Sequence, residues 1–551
     1  MSDRRASIAL FLFFLALQAF AATFNVFAVT WGDPVAYLAL PSNILFHNSY
    51  SFNNYMVGVP PPLYPILLLP ALALSDLGLD VILAISILNC ICYAAFVFLL
   101  FKFKKVCDFS FAQTAVLAAL ILLTPCAFQF TQDIMTESLY FPLLAFGFYL
   151  ALMPASVGNL TSLMIVLLSL VLTKPIGMVP YAILGAWKAG ELLLLRRDLQ
   201  SVTWSALLVF FPGASLLLWL ILSPKLADLT GGGYQSGYTE VLIGYLTDAS
   251  QFWLLLQRLF YSFIYTLMGA YFLPLLFLLP LKQQVDAHFP LKKALILYVL
   301  LWLGCTGLCA VAQGVFFPRN TTPSYLLYGR YIEGLIPIAT ILGFYQLVRL
   351  LRSEEKRTKS YYTILTLVVL LVFLIIANFP YEFWTGIHVI SIATYLYTGE
   401  LIGGVIFVAI IFALGLFALL MRGQKYNVIR YVMFFTLLTM LGYSTVREML
   451  RVDDRKQNWK DRITKTKFHE VSPPSETKFL IIDPTLTHGK ELWYLKGVYF
   501  KARYLYAEGF DFQSAPQGSL YFSSSIIPPQ GFTFCDTRNW AKVHCKPIIE
   551  P

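Results

Sequence analysis

The chain has 551 residues, of which 58% are hydrophobic and only 13% charged. Ordinary soluble domains carry about 25% charged residues, so this composition excludes a water-soluble globular protein and leaves a polytopic helical membrane protein. The net charge of +10 does not point to nucleic acid, because the Lys and Arg of the apolar portion cluster in short stretches between apolar runs, which is the positive-inside pattern.

The first apolar run, 8–29, follows Arg4 and Arg5. A signal peptide has a shorter apolar core. Ala21-Ala22 offers small residues for cleavage, but the run continues past them to Val29, so it reads as an uncleaved first helix with its N-terminus inside. With a hydrocarbon core of about 30 Å to cross, the sequence gives about thirteen spans, at 8–29, 79–101, 109–128, 137–153, 158–173, 176–194, 203–223, 259–280, 294–312, 331–350, 361–378, 401–421 and 430–446. The turns at 154–159 and 173–175 are short enough that the helices they join are alternatively a re-entrant pair. Lys102, Lys104 and Lys105, Arg196 and Arg197, Lys282, Lys292 and Lys293, the cluster 349–359, and Arg422, Lys425 and Arg430 then all lie on the inner side. The longer polar stretches 30–78, 129–136, 224–258, 313–330 and 379–400, with the tail from 447, lie outside. Within the first of them, 35–46 and 62–74 are too short to span and suit helices lying in the interface. The expected organisation is a transmembrane domain over 1–446 and a small mixed α/β outer domain over 447–551, where charge rises and short β-like pieces such as 478–482 and 520–522 alternate with Pro and Gly turns. Cys535 and Cys545 lie in that tail, ten residues apart. They are candidates for a disulfide, since the outer compartment is oxidising if the topology holds.

Ionisable groups are sparse at the outer ends of the spans, and such groups at membrane depth default to function. Asp33, next to Trp31 and Gly32, is either a plain capping carboxylate for the segment after Pro34 or a general base held at the membrane surface. Asp133 and Glu137, four apart in Thr131-Gln132-Asp133-Ile134-Met135-Thr136-Glu137, share a face if a helix begins there. They either cap that helix or contribute to a site. The cations Lys174, Arg258 and Arg330 are candidate phosphate contacts, Arg as a planar two-pronged donor and Lys as a point charge. The bland readings are a snorkelling Lys174 and a buried Arg330–Glu333 pair. His47, Tyr64 and Tyr331 are further candidate substrate contacts, the aromatics of 46–64 serving equally well as an interfacial belt. The run Gly231-Gly232-Gly233 is a linker or the hinge of a flap. No CxxC pair or His/Cys cluster has metal-ligand spacing.

Taken together, Asp33-Pro34-Val35-Ala36-Tyr37, Pro61-Pro62-Leu63-Tyr64-Pro65, Thr136-Glu137-Ser138-Leu139 and Gly329-Arg330-Tyr331 with Pro337 resemble elements of the GT-C superfamily of membrane glycosyltransferases. Within it the chain looks most like the bacterial branch that contains the lipid A aminoarabinose transferases and the protein O-mannosyltransferases. The resemblance covers chiefly 1–180 and 313–340. It departs in the first loop, where those transferases of lipid A carry a double acid and a lysine and this chain has a single acid and no lysine. The resemblance implies an inverting sugar transfer from a polyprenyl-phosphate donor to a hydroxyl of a lipid, glycan or protein, in a bacterial inner membrane with the site on the periplasmic side. Asp33 would then be the base, Asp133 or Glu137 would orient a sugar, and Lys174, Arg258 and Arg330 would hold the phosphate. No cofactor is expected, a carboxylate-bound divalent metal being the minority alternative. The implied partners are the lipid-linked donor, its acceptor and membrane lipids. Rival classes are a flippase or transporter for polyprenyl-linked lipids, expected to show two related halves with broken helices, and an O-antigen polymerase or ligase.

Overall fold

The computed structural model describes residues 3–23, 32–47, 61–74, 80–195, 198–227, 236–279, 289–316, 332–352, 367, 477–483, 486, 501–507, 510–523, 525–537 and 542–546. Over these residues the chain is helical up to 352, with a small sheet near its C-terminus. Among the described residues, five stretches are long and apolar enough to cross a membrane, namely Asp3–Ala22, Val81–Cys107, Met178–Leu195, Leu291–Gly314 and Glu333–Leu350. The expected spans 361–378, 401–421 and 430–446 lie outside the described residues, apart from Leu367.

Helix α1 is Asp3–Ala22, and α2 is Gly32–His47. The expected single helix at 62–74 is two short pieces, α3 (Leu63–Leu67) and α4 (Leu69–Ala73). Pro70 lies in the first turn of α4, and without an N–H it cannot continue the ladder from the preceding turn. The second span is α5 (Val81–Ala94) followed directly by α6 (Phe96–Cys107). Asp80 caps it, accepting from the backbone N–H groups of Ile82 and Leu83 at 2.7 and 3.1 Å. A full capping box, Ser110 with Gln113, opens α7 (Phe111–Leu122). The expected span at 109–128 breaks at Thr124-Pro125, and α8 (Pro125–Gln132) follows, so the first half of the stretch read as a loop over 129–136 is helix. The reason is local: Pro125 is suited to a first helical turn, and the Thr124 hydroxyl accepts from the Ala127 N–H at 3.1 Å.

Helices α9 (Glu137–Leu152), α10 (Val157–Thr173), α11 (Met178–Leu195) and α12 (Leu199–Ala227) run as consecutive packed helices. The turn between α10 and α11 holds because residue 177 is glycine: a Cβ there would stand 2.1 Å from the Leu170 carbonyl oxygen. The outer stretch expected at 224–258 is largely helical, in α13 (Ser236–Thr247) and α14 (Ala249–Gly269). Asp248 separates the two and caps α14, accepting from the Ser250 N–H at 2.8 Å and from its hydroxyl at 2.7 Å. These hydrogen bonds hold its carboxyl below the ordinary range. The expected helix 259–280 stops early because Tyr271 and Phe272 adopt left-handed backbone conformations, and a 3₁₀ segment, Leu273–Leu278, follows. Helices α15 (Leu291–Phe316) and α16 (Ile336–Arg352) complete the helical portion.

Phe252, Trp253, Leu256, Phe260 and Phe263 on α14 are exposed, as are Ile296, Val299, Leu300 and Leu303 on α15. At helical spacing these form apolar stripes turned away from the bundle, the arrangement expected when the surrounding solvent is hydrocarbon.

The two ends of the bundle differ chemically. At one end Lys104 of α6 pairs with Asp3 at 2.7 Å, and Lys293 of α15 pairs with Glu191 of α11 at 2.8 Å. There too Lys188 donates to the Met153 carbonyl and to Glu191, and Arg352 reaches Asp108. The opposite end holds the C-terminus of α10 and the N-termini of α9 and α11.

The sheet has strands β1 (Phe479–Ile482), β2 (Arg503–Tyr506), β3 (Leu520–Ser523), β4 (Thr533–Thr537) and β5 (Lys542–Cys545), in the order β2-β1-β3-β5-β4. β1 runs parallel to β2 and β3, and β5 runs antiparallel to β3 and β4. Cys535 sits at an irregularity in β4, and a disulfide joins it to Cys545 with Cα atoms 5.9 Å apart. The sheet is not isolated. Leu480, Leu520, Phe522, Val543 and Cys545 belong to the same contiguous apolar cluster as Tyr37, Leu38 and Leu40 of α2, and the Lys501 ammonium lies 5.1 Å from the centre of the Phe46 ring.

Candidate active site

The end of the bundle opposite the basic clusters holds a buried ionic and polar cluster. Glu137, the first residue of α9, is fully buried, and Lys174, the residue that ends α10, is 3% exposed. Their side chains meet at 2.5 Å. The Thr136 hydroxyl donates to the second Glu137 oxygen at 3.2 Å, and the ring of Tyr140, one turn along α9, lies 5.7 Å from the Lys174 ammonium. A lone buried charge at this depth is costly, and pairing with additional hydrogen bonds is what makes it tolerable. Lys174 is therefore not a snorkelling side chain, and Glu137 is more than a cap.

A second group of polar side chains adjoins the first. Asn89 of α5, fully buried, donates from Nδ2 to the Asp133 carbonyl at 2.8 Å. Its Oδ1 accepts from the Tyr64 hydroxyl at 3.0 Å and from the Ser138 hydroxyl at 2.9 Å. Burial holds the Tyr64 phenol well above its ordinary pKa, so this hydroxyl keeps its proton. The Tyr64 ring meets Tyr37 edge-on, with centroids 5.3 Å apart. Close by in sequence, the Ser86 hydroxyl reaches the Gln132 carbonyl at 3.5 Å. The first-loop segment, the second span and the acidic turn are thus tied together.

Of the candidates read from the sequence, Glu137 and Lys174 are brought into direct contact, and Asp133 and Tyr64 are linked through Asn89. Tyr64 takes a different part from the expected one. It is fully buried, so it presents no ring face on which a sugar could stack, and its contacts make it a framework residue. Arg258 is also fully buried. It donates to the Tyr245 hydroxyl and, at 3.2 Å, to the Ala310 carbonyl, which also accepts from Tyr245 at 2.8 Å. Gly314 makes room for this group: a Cβ there would stand 2.8 Å from the Tyr245 oxygen and 3.2 Å from an Arg258 nitrogen. These described contacts join α13, α14 and α15 rather than Glu137 and Lys174. Glu333 is buried and accepts from the Tyr265 hydroxyl. Asp33 and His47 occupy backbone positions at the start and end of α2, and their side chains lie outside what is described. Arg330 and Tyr331 lie outside the described residues.

Asn89 is the site residue that sequence reading passed over. Its signal was present, since it is an amide within the apolar run Val81–Ala94, and a polar side chain inside a span is a mark of function or of helix–helix adhesion. Among the described residues no group of three His, Cys, Asp or Glu side chains gathers as a metal site.

No family model matches the chain, and no curated protein matches it. Two solved structures are similar to it. One is the crystal structure of ArnT from Cupriavidus metallidurans in the apo state, 15% identical with a TM-score of 0.45, the match covering 98% of this chain and 98% of that one. The other is the same protein bound to undecaprenyl phosphate, 14% identical with a TM-score of 0.45, covering 98% of this chain and 97% of that one. The likeness runs the length of both chains, and at these values it does not establish a common fold.

Proposed function

We propose that the chain is an inverting membrane glycosyltransferase that moves a sugar from a polyprenyl-phosphate donor to a hydroxyl acceptor at the outer face of a bacterial inner membrane. The observation that carries this reading is the buried Glu137–Lys174 contact, at the end of the bundle where the Tyr64 hydroxyl and the Asp133 backbone carbonyl also meet Asn89. Among apolar helices a buried ion pair of this kind is expensive, and function is the usual reason for keeping it. In the proposed reaction the acceptor oxygen forms a bond to the anomeric carbon while the bond from that carbon to the phosphate oxygen breaks. Polyprenyl phosphate leaves with the electron pair, and the acceptor proton passes to the Asp33 carboxylate. Lys174, Arg258 and Arg330 are the candidates for balancing the charge that grows on the phosphate. Lys174 also holds an acid, so the positions of that acid and that cation are set by a single contact. Asp133 and Glu137 serve as orienting groups for the donor sugar or the acceptor.

The test is sugar transfer by the purified chain in lipid nanodiscs, with undecaprenyl-phosphate-linked sugars as donors. Asp33→Asn should leave the protein folded and abolish transfer. Full transfer by that variant removes Asp33 as the base. Failure of the unaltered chain to transfer from any such donor, together with movement of the intact lipid across the bilayer, overturns the whole reading in favour of a transporter.

A further inference from the structure

The Asn89 side chain bonds to two segments that are far from it in sequence, the first-loop segment and the acidic turn. Tyr64 is 25 residues away, Asp133 is 44 and Ser138 is 49. All of these groups are buried. An amide oxygen has two acceptor positions, and both are filled here, by the Tyr64 hydroxyl and by the Ser138 hydroxyl, which also lies 3.1 Å from the Met135 carbonyl. The amide nitrogen faces a carbonyl, which can only accept. The orientation of the amide is therefore set by its partners, and the amide in turn ties the Tyr64 hydroxyl to the turn that holds the Asp133 carbonyl. The consequence reaches further along the chain. Tyr64 is locked against Tyr37 by their edge-on rings, and Tyr37 lies four residues after Asp33 on α2, which is about one helical turn. On the other side, Asp133 and Ser138 bracket Glu137.

We propose that Asn89 is a positioning residue: its amide holds the first-loop segment carrying Asp33 and the acidic turn carrying Asp133 and Glu137 in one fixed relation. Its catalytic consequence rests on the glycosyl-transfer reading, while its geometry does not. A carboxylate at this position would still accept from Tyr64 and Ser138 but would lose the donor to the Asp133 carbonyl. Removing the Tyr64 hydroxyl would leave that donor in place and release only the first-loop side.

The experiment compares Asn89→Ala, Asn89→Asp, Tyr64→Phe and the double variant Asn89→Ala/Tyr64→Phe in the full chain in nanodiscs. It reads amide hydrogen exchange, the dissociation constant for undecaprenyl phosphate, and kcat. Asn89→Ala should speed exchange in both 32–47 and 133–138. It should lower kcat on the order of ten- to a hundredfold, the scale of a small misplacement of reacting groups, and weaken lipid-phosphate affinity by less than that, since Lys174 is tied to the displaced turn through Glu137 while Arg258 and Arg330 are not on it. Tyr64→Phe should speed exchange in 32–47 and add little to Asn89→Ala, because the two act through one bond. Exchange that rises along α5 alone, or losses in kcat that simply multiply in the double variant, overturns the proposal. If Asn89→Ala does not fold, Tyr64→Phe decides: unchanged exchange in 32–47 and unchanged kcat overturn the proposal. If the unaltered chain transfers no sugar, the glycosyl-transfer reading fails, and the exchange measurements still determine whether Asn89 couples the two segments.

Discussion

Replacing Lys174 with Met tests whether the Glu137–Lys174 contact is a balanced buried pair. At a separation of 2.5 Å and an effective dielectric of about 20, the Coulomb attraction is about 6–7 kcal/mol. Against it stands a desolvation cost of several kcal/mol for each ion. The intact pair therefore contributes little net stability. Removing one member is a different matter, because Glu137 is fully buried and its desolvation is then opposed only by the remaining polar contacts such as the Thr136 hydroxyl at 3.2 Å. The expected loss for Lys174→Met is about 3–5 kcal/mol. Adding Glu137→Gln should return most of it, because the double variant buries no charge at this point and Gln keeps a hydrogen-bonding group. The assay is thermal unfolding of the four proteins of the cycle in the same detergent, followed by tryptophan fluorescence. A single variant as stable as the unaltered chain, or a double variant no better than Lys174→Met, refutes the reasoning.

Two further outcomes follow from local geometry. Gly177→Ala places a methyl group 2.1 Å from the Leu170 backbone oxygen, so the turn that presents Lys174 must open. Since backbone cannot swing aside as a side chain does, a loss of more than about 2 kcal/mol is expected in the same unfolding assay, and a neutral effect contradicts the tight turn. The sheet should be acid-sensitive through His544, which is buried between Tyr521 and Phe534, with Nε2 2.9 Å from the Ser525 carbonyl. Burial lowers its pKa from the ordinary 6.5. Above that value the ring is neutral folded or unfolded and contributes nothing pH-dependent. Below it the unfolded chain takes up the proton first, so sheet stability falls with pH until the folded pKa is reached. The opening free energy of 520–523 and 542–545, taken from hydrogen exchange corrected for the intrinsic rate at each pH, should therefore fall as pH drops below about 6.5, and His544→Phe should remove the dependence. An unchanged profile in that variant assigns the acid sensitivity to other groups.

Much of the helical portion was legible in local pattern. The Ser110/Gln113 box, the Asp80 cap and the breaks at Pro70 and Pro125 are local but were passed over, whereas apolar runs long enough to span were read directly. The same holds for the strands around 479–482 and 520–523, and for a cysteine pair ten apart. Asp133, Glu137 and Lys174 stood out because charges are rare near apolar spans. Reading failed where the signal was local but weak. Helix α13 and the first part of α14 fall within the stretch 224–258, which reads as a polar outer stretch because it holds no apolar run long enough to span.

What the sequence by itself determined was which residues are too polar for their surroundings and which stretches must be helical to satisfy their own backbone in hydrocarbon. Only the tertiary structure decided how those polar residues were satisfied: Glu137 by Lys174, 37 residues away, Arg258 by Tyr245 and Ala310, and Asn89 by three partners at once. The physical reason is that burial makes a partner obligatory without naming it. A lone amide or ammonium in an apolar run announces a debt of hydrogen bonds, and the packing of helix ends from distant parts of the chain selects the groups that meet it.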